Sequence, residues 1–400
     1  MQAFNRTGSG LSNLEQSKAI YQSSEERHAM SVTAKSEANV HKVCLIPGDG
    51  IGPEISQAMQ RVVEASGVKI DWELAFAGEA QMKECGHPLP QETIDCIKRN
   101  KVAIKGPITT PVGSGFRSVN VALRKELDLY VNLRPVFSLP SNGSSFKDID
   151  LVIVRENTED LYAGIEFKES ADETLAFIDY LKKHKGVEIK KDSGISIKPI
   201  SISASERIIN WAFKYAKQQG RTKLTAVHKA NILKESDGLF LDCARRLAAQ
   251  YPEIVFEDKI VDACCMGLVL YPQNFDLLVL PNLYGDIVSD LCAGLIGGLG
   301  MAPGANIGDE YAVFEAVHGS APDIAQKDIA NPSALILSAC MMLRHLREFE
   351  AADRITSALR ELLAKQDCLT ADLRFNLFNT TEGALGTQAF ANALIAQMNA

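Results

Sequence analysis

Short apolar runs alternate along the chain with longer segments in which apolar residues recur every three or four positions. The short runs are typical of strands buried on both faces, and the longer segments are typical of amphipathic helices packed against them. The predicted strands are 42–46, 69–76, 102–105, 151–155, 225–228 and 277–280. The predicted helices are 54–65, 92–100, 204–219, 238–249, 287–295, 333–348 and 352–364. Strands that alternate with helices of this length predict an α/β fold with a largely parallel sheet.

Two segments depart from this alternation. Residues 1–39 are polar and show no sustained apolar period, which predicts a disordered extension. The first 14 residues contain one arginine and no acid, as in a transit peptide, but Glu15, Glu25 and Glu26 depart from that composition. We therefore expect a cytoplasmic protein, with the mitochondrial matrix as the alternative. Residues 167–200 are polar with alternating isoleucines near the end, which predicts an inserted arm outside the main sheet.

The composition excludes several classes of protein. A net charge of −8 provides no general attraction to nucleic acid or to anionic membranes. The chain contains no apolar run of about 18 residues, the length that a membrane span requires. The nine cysteines have no Cys-x-x-Cys spacing, which favours reduced, mostly buried thiols. A cationic pocket in such an acidic chain must therefore be a local feature.

Ser118, Asn120, Arg124 and Arg134 lie within one segment of 17 residues. Guanidinium groups bind carboxylates through two hydrogen bonds at a time. Asn120 and Arg124 are four residues apart, so a helix would place them on one face. Ser118 is a suitable N-cap for that helix, where backbone N–H groups attract an anion. The segment predicts a site for a substrate with several carboxylates, and a solvated basic helix is the alternative.

Two glycine-rich loops fall short of the common dinucleotide-binding fingerprint. The loop 47–53 follows a predicted strand and precedes a predicted helix, but Gly-x-Gly-x-x-Gly requires a glycine where this chain has Pro53. The loop 297–303 fails the same test at Pro303. We therefore expect a non-Rossmann fold, in which any dinucleotide binds on another scaffold. Glycines that serve only tight turns and close packing are the alternative.

Three aspartates are candidate metal ligands. Asp286 and Asp290 follow a predicted strand and, four residues apart, would share a helix face near its N-terminus. Two carboxylates this close repel each other unless a cation or an arginine lies between them. Asp262 also follows an apolar segment, and a set of oxygen ligands suits Mg²⁺ or Mn²⁺. Acids that merely complement a helix dipole are the alternative.

Lys229 and Tyr162 are candidate proton-transfer groups. Lys229 lies at the end of a predicted strand, which is the usual position of functional groups in open α/β sheets. Beside a metal or other cations a lysine loses its proton readily and becomes a candidate base. Tyr162 is a candidate acid, although a lone lysine or tyrosine is more often a surface or packing residue.

Taken in order, several motifs resemble the β-decarboxylating dehydrogenases, the family of isocitrate and 3-isopropylmalate dehydrogenases. They are Pro-Gly-Asp-Gly-Ile-Gly-Pro from residue 47, Lys-Gly-Pro-Ile-Thr-Thr-Pro-Val-Gly from 105, Asn-Leu-Tyr-Gly-Asp-Ile-Val-Ser-Asp from 282 and Ala-Val-His-Gly-Ser-Ala-Pro-Asp-Ile from 316. The resemblance covers about nine-tenths of the chain. It implies a large domain (40–129 and 297–400), a small domain (130–159 and 203–296) and an arm (160–202) that clasps a second subunit in a homodimer.

The resemblance also implies roles for individual residues. Ser118 and Asn120 match the positions at which isocitrate enzymes hold the third carboxylate, where isopropylmalate enzymes have an apolar pocket. The matched carboxylate clamp is Arg124, Arg134 and Arg155. Tyr162 and Lys229 match the catalytic pair, and Asp262, Asp286 and Asp290 match the metal ligands. Lys229 and Asp262 are implied to enter the site of the neighbouring subunit.

The cofactor is implied by the loop that begins at residue 318. The matched positions are Thr110, His318, Gly319, Ala321, Asp323, Ile324 and Asn331. NADP-using relatives of the bacterial type have lysine and tyrosine where this chain has Asp323 and Ile324. A carboxylate accepts bonds from ribose hydroxyls but repels a 2′-phosphate, so the expected cofactor is NAD.

The expected activity is oxidative decarboxylation of isocitrate by a metal-dependent, NAD-linked homodimer. Isopropylmalate, homoisocitrate or tartrate dehydrogenase is one alternative. A regulatory subunit of a hetero-oligomer is another, but such subunits lose part of a catalytic set that this chain retains.

We predict that NADP is used at least about tenfold less efficiently than NAD. With Asp323 in place of a lysine, the 2′-phosphate of NADP has no ion pair at this position, and the loss of such a pair is worth at least about 1.4 kcal/mol. The measurement is kcat/KM for the two cofactors with isocitrate. Equal values would contradict the assignment.

Overall fold

The computed structural model describes residues 40–110, 118–141, 143–144 and 146–400. Twelve strands lie in these ranges: β1 (His41–Ile46), β2 (Ile70–Leu74), β3 (Val102–Lys105), β4 (Val131–Phe137), β5 (Asp150–Glu156), β6 (Glu166–Phe167), β7 (Ile195–Ser196), β8 (Lys223–His228), β9 (Val255–Ile260), β10 (Leu277–Leu280), β11 (Pro303–Ile307) and β12 (Ala312–Ala316). The same ranges contain thirteen α-helices: α1 (Gly52–Ala65), α2 (Glu79–Cys85), α3 (Gln91–Asn100), α4 (Val119–Glu126), α5 (Asp172–Lys185), α6 (Ile202–Gln218), α7 (Asp237–Ala248), α8 (Val261–Leu270), α9 (Asn282–Leu295), α10 (Ser333–His345), α11 (Phe349–Ala364), α12 (Ala371–Phe378) and α13 (Thr387–Met398). Short 3₁₀ segments occupy Asp160–Ala163, Pro272–Asn274 and Leu299–Met301.

Ten strands form one sheet in the order β2-β1-β3-β12-β11-β4-β5-β10-β8-β9. It contains two parallel wings. The first wing is β2-β1-β3-β12 and the second wing is β5-β10-β8-β9. β11 and β4 join the wings through antiparallel pairs. The predicted α/β class with a largely parallel sheet is therefore confirmed.

Helices cover both wings and bury the apolar strands. β3 and β10 are buried at every position, as expected for short apolar runs in a parallel sheet. α6 packs against β5, β8 and β10, and α7 packs against α6 and β8. α10 contacts β11, β12 and β3 on one side and α1 and α11 on the other, so most of its length is buried.

The structure corrects one boundary that matters for the site. The helix predicted at 287–295 begins at Asn282, directly after Pro281. Asp286 and Asp290 are thus the fifth and ninth residues of α9, and their predicted position near its N-terminus was wrong. The error arose because the glycine and tyrosine in the first turn have low helix propensity, which packing overrides here.

The arm predicted at 167–200 lies outside the main sheet, as expected. β6 and β7 form a separate two-stranded antiparallel sheet, and α5 lies between them in sequence. The predicted extension at 1–39 lies outside the described residues, as does the end of the motif at 111–113. In the described part, no helix is long and apolar enough to cross a membrane. The division into large and small domains stays a prediction.

Three loops at the carboxyl ends of β1, β3 and β12 are tied together by hydrogen bonds. The Asp49 carboxylate accepts from the Thr109 backbone N–H at 2.9 Å, and the Ile51 N–H donates to the Ser320 carbonyl at 2.9 Å. The hydroxyls of Thr109 and Ser320 are 2.7 Å apart. We call this three-loop assembly the loop platform.

Glycines make the loop platform possible. A Cβ atom on Gly48 would lie 2.2 Å from the Pro107 carbonyl oxygen, and one on Gly50 would lie 2.0 Å from the Ser320 carbonyl oxygen. Both glycines also have positive φ angles, +77° and +58°. The glycines of the loop 47–53 therefore serve tight turns and close packing, the alternative that the sequence left open.

We predict that Gly50→Ala destabilises the protein more than Gly186→Ala. Both glycines have similar positive φ angles, +58° and +66°, but Gly186 has nothing within 4 Å of an added Cβ. The control should cost about 1–2 kcal/mol for the left-handed conformation alone. Gly50→Ala should cost about 1–3 kcal/mol more, because a backbone carbonyl must move. Urea unfolding measures both values, and equal losses would show that the close approach is unimportant.

Candidate active site

The second wing delivers most of the candidate catalytic residues from one edge. Arg155 is the penultimate residue of β5, Lys229 is the first residue after β8, and Asp262 is the second residue after β9. α9, with Asp286 and Asp290, begins two residues after β10 ends. Because these four strands are parallel neighbours, their carboxyl ends lie at the same edge of the sheet.

Helix α4 presents the predicted substrate-binding residues to a pocket of about 130 Å³. Ser118 is the N-cap of α4, as predicted, but its hydroxyl makes no capping hydrogen bond. Asn120 and Arg124 line the pocket from the helix and Arg134 lines it from β4. The Oδ1 atom of Asn120 and the Nε atoms of both arginines are buried and have no hydrogen-bond partner among the described residues. Such atoms are costly unless a ligand or water satisfies them.

The pocket concentrates positive charge. Burial and, after it, repulsion from Arg155 lower the pKa of Arg124 to about 10. Lys105 forms a buried ion pair with Glu315, and Arg124 Nη2 lies 3.7 Å from Glu315 Oε1. Burial raises the pKa of Glu315, but Lys105 and Arg124 outweigh burial and hold that pKa at about 2. Glu315 does not balance all of the repulsion among the arginines, and a bound carboxylate would reduce what remains.

Asp286 is the centre of a second cluster beside the pocket. Its carboxylate pairs with Arg155 Nη1, accepts a hydrogen bond from the Tyr162 hydroxyl, and lies 3.6 Å from Arg134 Nη2. Arg155, which is 1% exposed, also donates to Asn282 Oδ1 at 2.8 and 3.0 Å and lies over the Tyr162 ring at 4.9 Å. Two arginines of the predicted clamp, the predicted acid and one predicted metal ligand thus form one cluster.

The electrostatics separate the two aspartates of α9. Burial raises the pKa of Asp286, but Arg155 and Arg134 outweigh burial and bring its pKa below the usual value. Burial raises the pKa of Asp290. Arg134, whose Nη1 atom lies 3.4 Å from Asp290 Oδ1, lowers it by less, and repulsion from Asp286 adds to the increase. A divalent cation would favour the charged form of both carboxylates. Burial and the hydrogen bond to Asp286 raise the pKa of the Tyr162 hydroxyl.

Lys229 and Asp262 form a pair of their own, with Nζ and Oδ1 2.6 Å apart. Lys229 lowers the pKa of Asp262, whose side chain is mostly exposed. Among the described residues, no three His, Cys, Asp or Glu side chains are grouped to hold a metal ion. The oxygen donors of Asp286 and Asp290 suit Mg²⁺ or Mn²⁺. Within a single chain, Asp262 does not form a group of three with these two aspartates.

The candidate cofactor residues lie on or beside the loop platform. His318 and Gly319 line the 130 Å³ pocket next to Arg124, which places the cofactor loop beside the substrate residues. Burial lowers the pKa of His318, and its Nε2 atom is buried without a partner. Thr110 and Asp323 are exposed, and Ala321 and Ile324 are half-buried.

Asn331 differs from the other candidate cofactor residues because its side chain is already occupied. It donates to Asp372 Oδ2 at 2.9 Å and accepts from the Ser333 N–H at 2.9 Å, at the start of α10. Its assignment to the cofactor stays a prediction.

Sequence reasoning did not assign Lys105, Glu315 or the asparagines beneath the pocket to the site. Asn306 donates to Glu315 Oε1 at 2.6 Å and accepts from Asn132 at 2.8 Å. The signal that was available is a charged residue at the end of an apolar strand, as Lys105 is in β3 and Glu315 is in β12.

Comparisons with known proteins agree with this geometry. A profile described as isocitrate/isopropylmalate dehydrogenase matches residues 42–394. The protein named "Isocitrate dehydrogenase (NAD) catalytic subunit 5, mitochondrial" of Arabidopsis thaliana is 48% identical over 330 residues, 82% of this chain and 83% of that protein. "3-isopropylmalate dehydrogenase, chloroplastic" of Solanum tuberosum is 46% identical over 333 residues, 83% of this chain and 88% of that protein.

A solved structure is similar over almost all of the described chain. The crystal structure of isocitrate dehydrogenase from Methylococcus capsulatus is similar with a TM-score of 0.82 and 49% identity, covering 90% of this chain and 100% of that one. Relatives named for two different substrates have nearly equal identity, 48% and 46%, so identity alone does not choose between them. The profile match over 42–394 and the shared fold show that the chain belongs to the isocitrate/isopropylmalate dehydrogenase family.

Proposed function

We propose that the protein oxidises and decarboxylates isocitrate to 2-oxoglutarate and CO₂, with reduction of NAD and with Mg²⁺ or Mn²⁺. The observation that carries this proposal is the buried cationic pocket in which Asn120 and Arg124 share one helix face. Three carboxylates on one small substrate would neutralise the buried arginines and satisfy their donors.

The polar side chain of Asn120 favours isocitrate over isopropylmalate. Its Oδ1 atom is buried and unpaired in the described residues. An isopropyl group in this pocket would give the Asn120 amide no hydrogen-bond partner, at about 1–3 kcal/mol for a buried polar group. A substrate carboxylate accepts a hydrogen bond from the Nδ2 group of Asn120 and, in this proposal, from the Ser118 hydroxyl.

The residues of the chain divide the proposed reaction between them. Arg124, Arg134 and Arg155 orient the carboxylates. Lys229 takes the proton of the 2-hydroxyl, directly or through water, as hydride passes from C2 to NAD. The β-keto acid that results loses CO₂, and Tyr162 then delivers a proton to C3 to give 2-oxoglutarate.

The metal proposal uses ligands from two copies of the chain. When bound, Mg²⁺ or Mn²⁺ supplies a Lewis acid that stabilises the negative charge developed during decarboxylation. Asp286 and Asp290 of one copy and Asp262 of a second copy would hold it. This assignment agrees with the separation of Asp262 from the α9 aspartates in one chain.

An exposed apolar face supports the proposed homodimer. Met266, Val269 and Leu270 of α8 and the adjoining Tyr271 are each about half exposed or more, and so is Ile287 of α9. A second copy that covers this face would bury apolar surface next to Lys229 and Asp262. A hetero-oligomer is the competing assembly, since the Arabidopsis relative is named as a subunit. Its name also supports the mitochondrial alternative over the cytoplasmic prediction.

We predict that Asn120→Leu lowers kcat/KM for isocitrate by about 10-fold to 100-fold, since a lost buried hydrogen bond to a charged group costs about 1.5–3 kcal/mol. The same variant should gain turnover of 3-isopropylmalate, because the pocket becomes apolar. Ala122→Leu is the control, since it adds a leucine at an exposed position of the same helix. An assay panel with isocitrate, 3-isopropylmalate, homoisocitrate and tartrate measures both changes. Unchanged isocitrate kinetics in Asn120→Leu would reject the substrate assignment.

We predict that Tyr162→Phe and Lys229→Met fail at different steps. Tyr162→Phe should impair protonation after decarboxylation, while Lys229→Met should suppress oxidation, each by about 100-fold or more. Supplying oxalosuccinate, the keto intermediate, separates the two, because its decarboxylation does not require the oxidation step. A Lys229→Met protein that oxidises isocitrate at the normal rate would overturn the assignment.

A further inference from the structure

Lys198 lies at the base of the arm and touches the start of α7, the 3₁₀ turn that carries Tyr162, and the first turn of α9. Its Nζ atom is 2.5 Å from Asp237 Oδ1, 3.9 Å from Asp160 Oδ1 and 4.4 Å from the centre of the Tyr284 ring. Both aspartates are fully buried, and the Lys198 side chain is 15% exposed. Two buried carboxylates require a compensating cation, and Lys198 contacts both.

Asp237 connects Lys198 to Lys229. Its second oxygen, Oδ2, accepts the backbone N–H of Lys229 at 2.7 Å. Its carboxylate also hydrogen-bonds the hydroxyl of Tyr284, which is two residues before Asp286 in α9. One carboxylate therefore holds the segment of the candidate base and the first turn of the helix that carries the candidate metal ligands.

Asp160 connects Lys198 to Tyr162. Its Oδ1 atom accepts the N–H of Leu161 at 2.8 Å and its Oδ2 atom accepts the N–H of Leu283 at 2.9 Å. The Asp160 N–H in turn donates to the Pro199 carbonyl at 3.1 Å, next to Lys198 in the chain. Asp160 has a φ of +67°, a conformation that a non-glycine residue adopts only where the surroundings enforce it.

We propose that Lys198 is a positioning residue of the active site: by balancing Asp237 and Asp160, it fixes the backbone of Lys229 and the turn of Tyr162 relative to α9. The proposal rests on the proposed roles of Lys229 and Tyr162 and adds a residue that contacts neither the substrate pocket nor Asp286. Arg124 and Arg134 are held by other contacts. Loss of Lys198 therefore acts on the placement of the proton-transfer groups and leaves Arg124 and Arg134 in place.

The test compares Lys198→Met with Lys198→Arg and with Lys191→Met, an exposed lysine of the same arm. Lys198→Met should lower kcat at least about tenfold while KM for isocitrate changes less than about threefold, because small displacements of catalytic groups affect the chemical step. Lys198→Arg, which keeps the charge, should recover a larger part of kcat, and Lys191→Met should match the wild type. Circular dichroism and the thermal midpoint identify the folded protein on which the rates are measured.

Amide hydrogen–deuterium exchange tests the placement independently of the substrate. In Lys198→Met the N–H groups of Lys229 and Leu283 should exchange faster, because their acceptors are Asp237 and Asp160. The two proposals fail in different ways. If the wild type oxidises none of the four acids of the assay panel (isocitrate, 3-isopropylmalate, homoisocitrate and tartrate), the proposed function is wrong. If the exchange of these two amides is unchanged in Lys198→Met, the positioning proposal is wrong.

A second variant keeps the proposal testable if Lys198→Met does not fold. Asp237→Asn retains the shape of the side chain but removes the charge that pairs with Lys198. It should show the same loss of kcat with little change in KM and faster exchange at Lys229. If folded Lys198→Met or Asp237→Asn protein has the same kcat as the wild type and the Lys191→Met control, the positioning role is refuted.

Discussion

The repulsion among three buried guanidinium groups is the constraint on which the site depends. Arg124, Arg134 and Arg155 lie close enough that Arg155 lowers the pKa of both of the others. Burial is the larger effect in the same direction, so Arg124 and Arg134 are costly to keep charged. Glu315 relieves Arg124, and Asp286 relieves Arg134 and Arg155. The carboxylates present do not satisfy every donor, since Nε of Arg124 and of Arg134 are buried without partners. A protein that maintains such a pocket is prepared for an anion with several carboxylates.

The architecture explains how cofactor and substrate residues meet. The first wing ends in the loop platform, where glycines allow three loops to approach within backbone hydrogen-bonding distance. The second wing ends in Arg155, Lys229 and the start of α9. β4 and β11 run antiparallel between the wings, and β4 contributes Arg134 to the pocket. This arrangement agrees with a reaction in which loops of the first wing bind a dinucleotide beside Asn120 and Arg124, and the second wing supplies the proton-transfer groups.

The parts of the fold that the sequence predicted are those fixed by local pattern. Strands 102–105 and 277–280 were placed correctly because each is a short run of consecutive, mostly apolar residues. β4 and β11 were missed because Asn132, Arg134 and Pro303 interrupt their apolar pattern, and these strands are defined by pairing across the sheet. The resemblance to a family supplied residue roles that no spacing alone determines. Contacts such as Lys198 with Asp237 join residues 39 positions apart and depend on tertiary structure, so the pattern of the sequence contained no signal for them.

The central claim is that each active site combines the arginines and Tyr162 of one copy with Lys229 of a second copy. It is tested most directly by mixing Tyr162→Phe and Lys229→Met proteins after dissociation and allowing them to reassociate. A hybrid dimer would contain one site with both residues intact, so random reassociation should restore about a quarter of the wild-type steady-state rate of 2-oxoglutarate formation from isocitrate. If the mixture shows no more than the summed residual activities of the two variants, the two residues act within one copy and the account of a shared site is wrong.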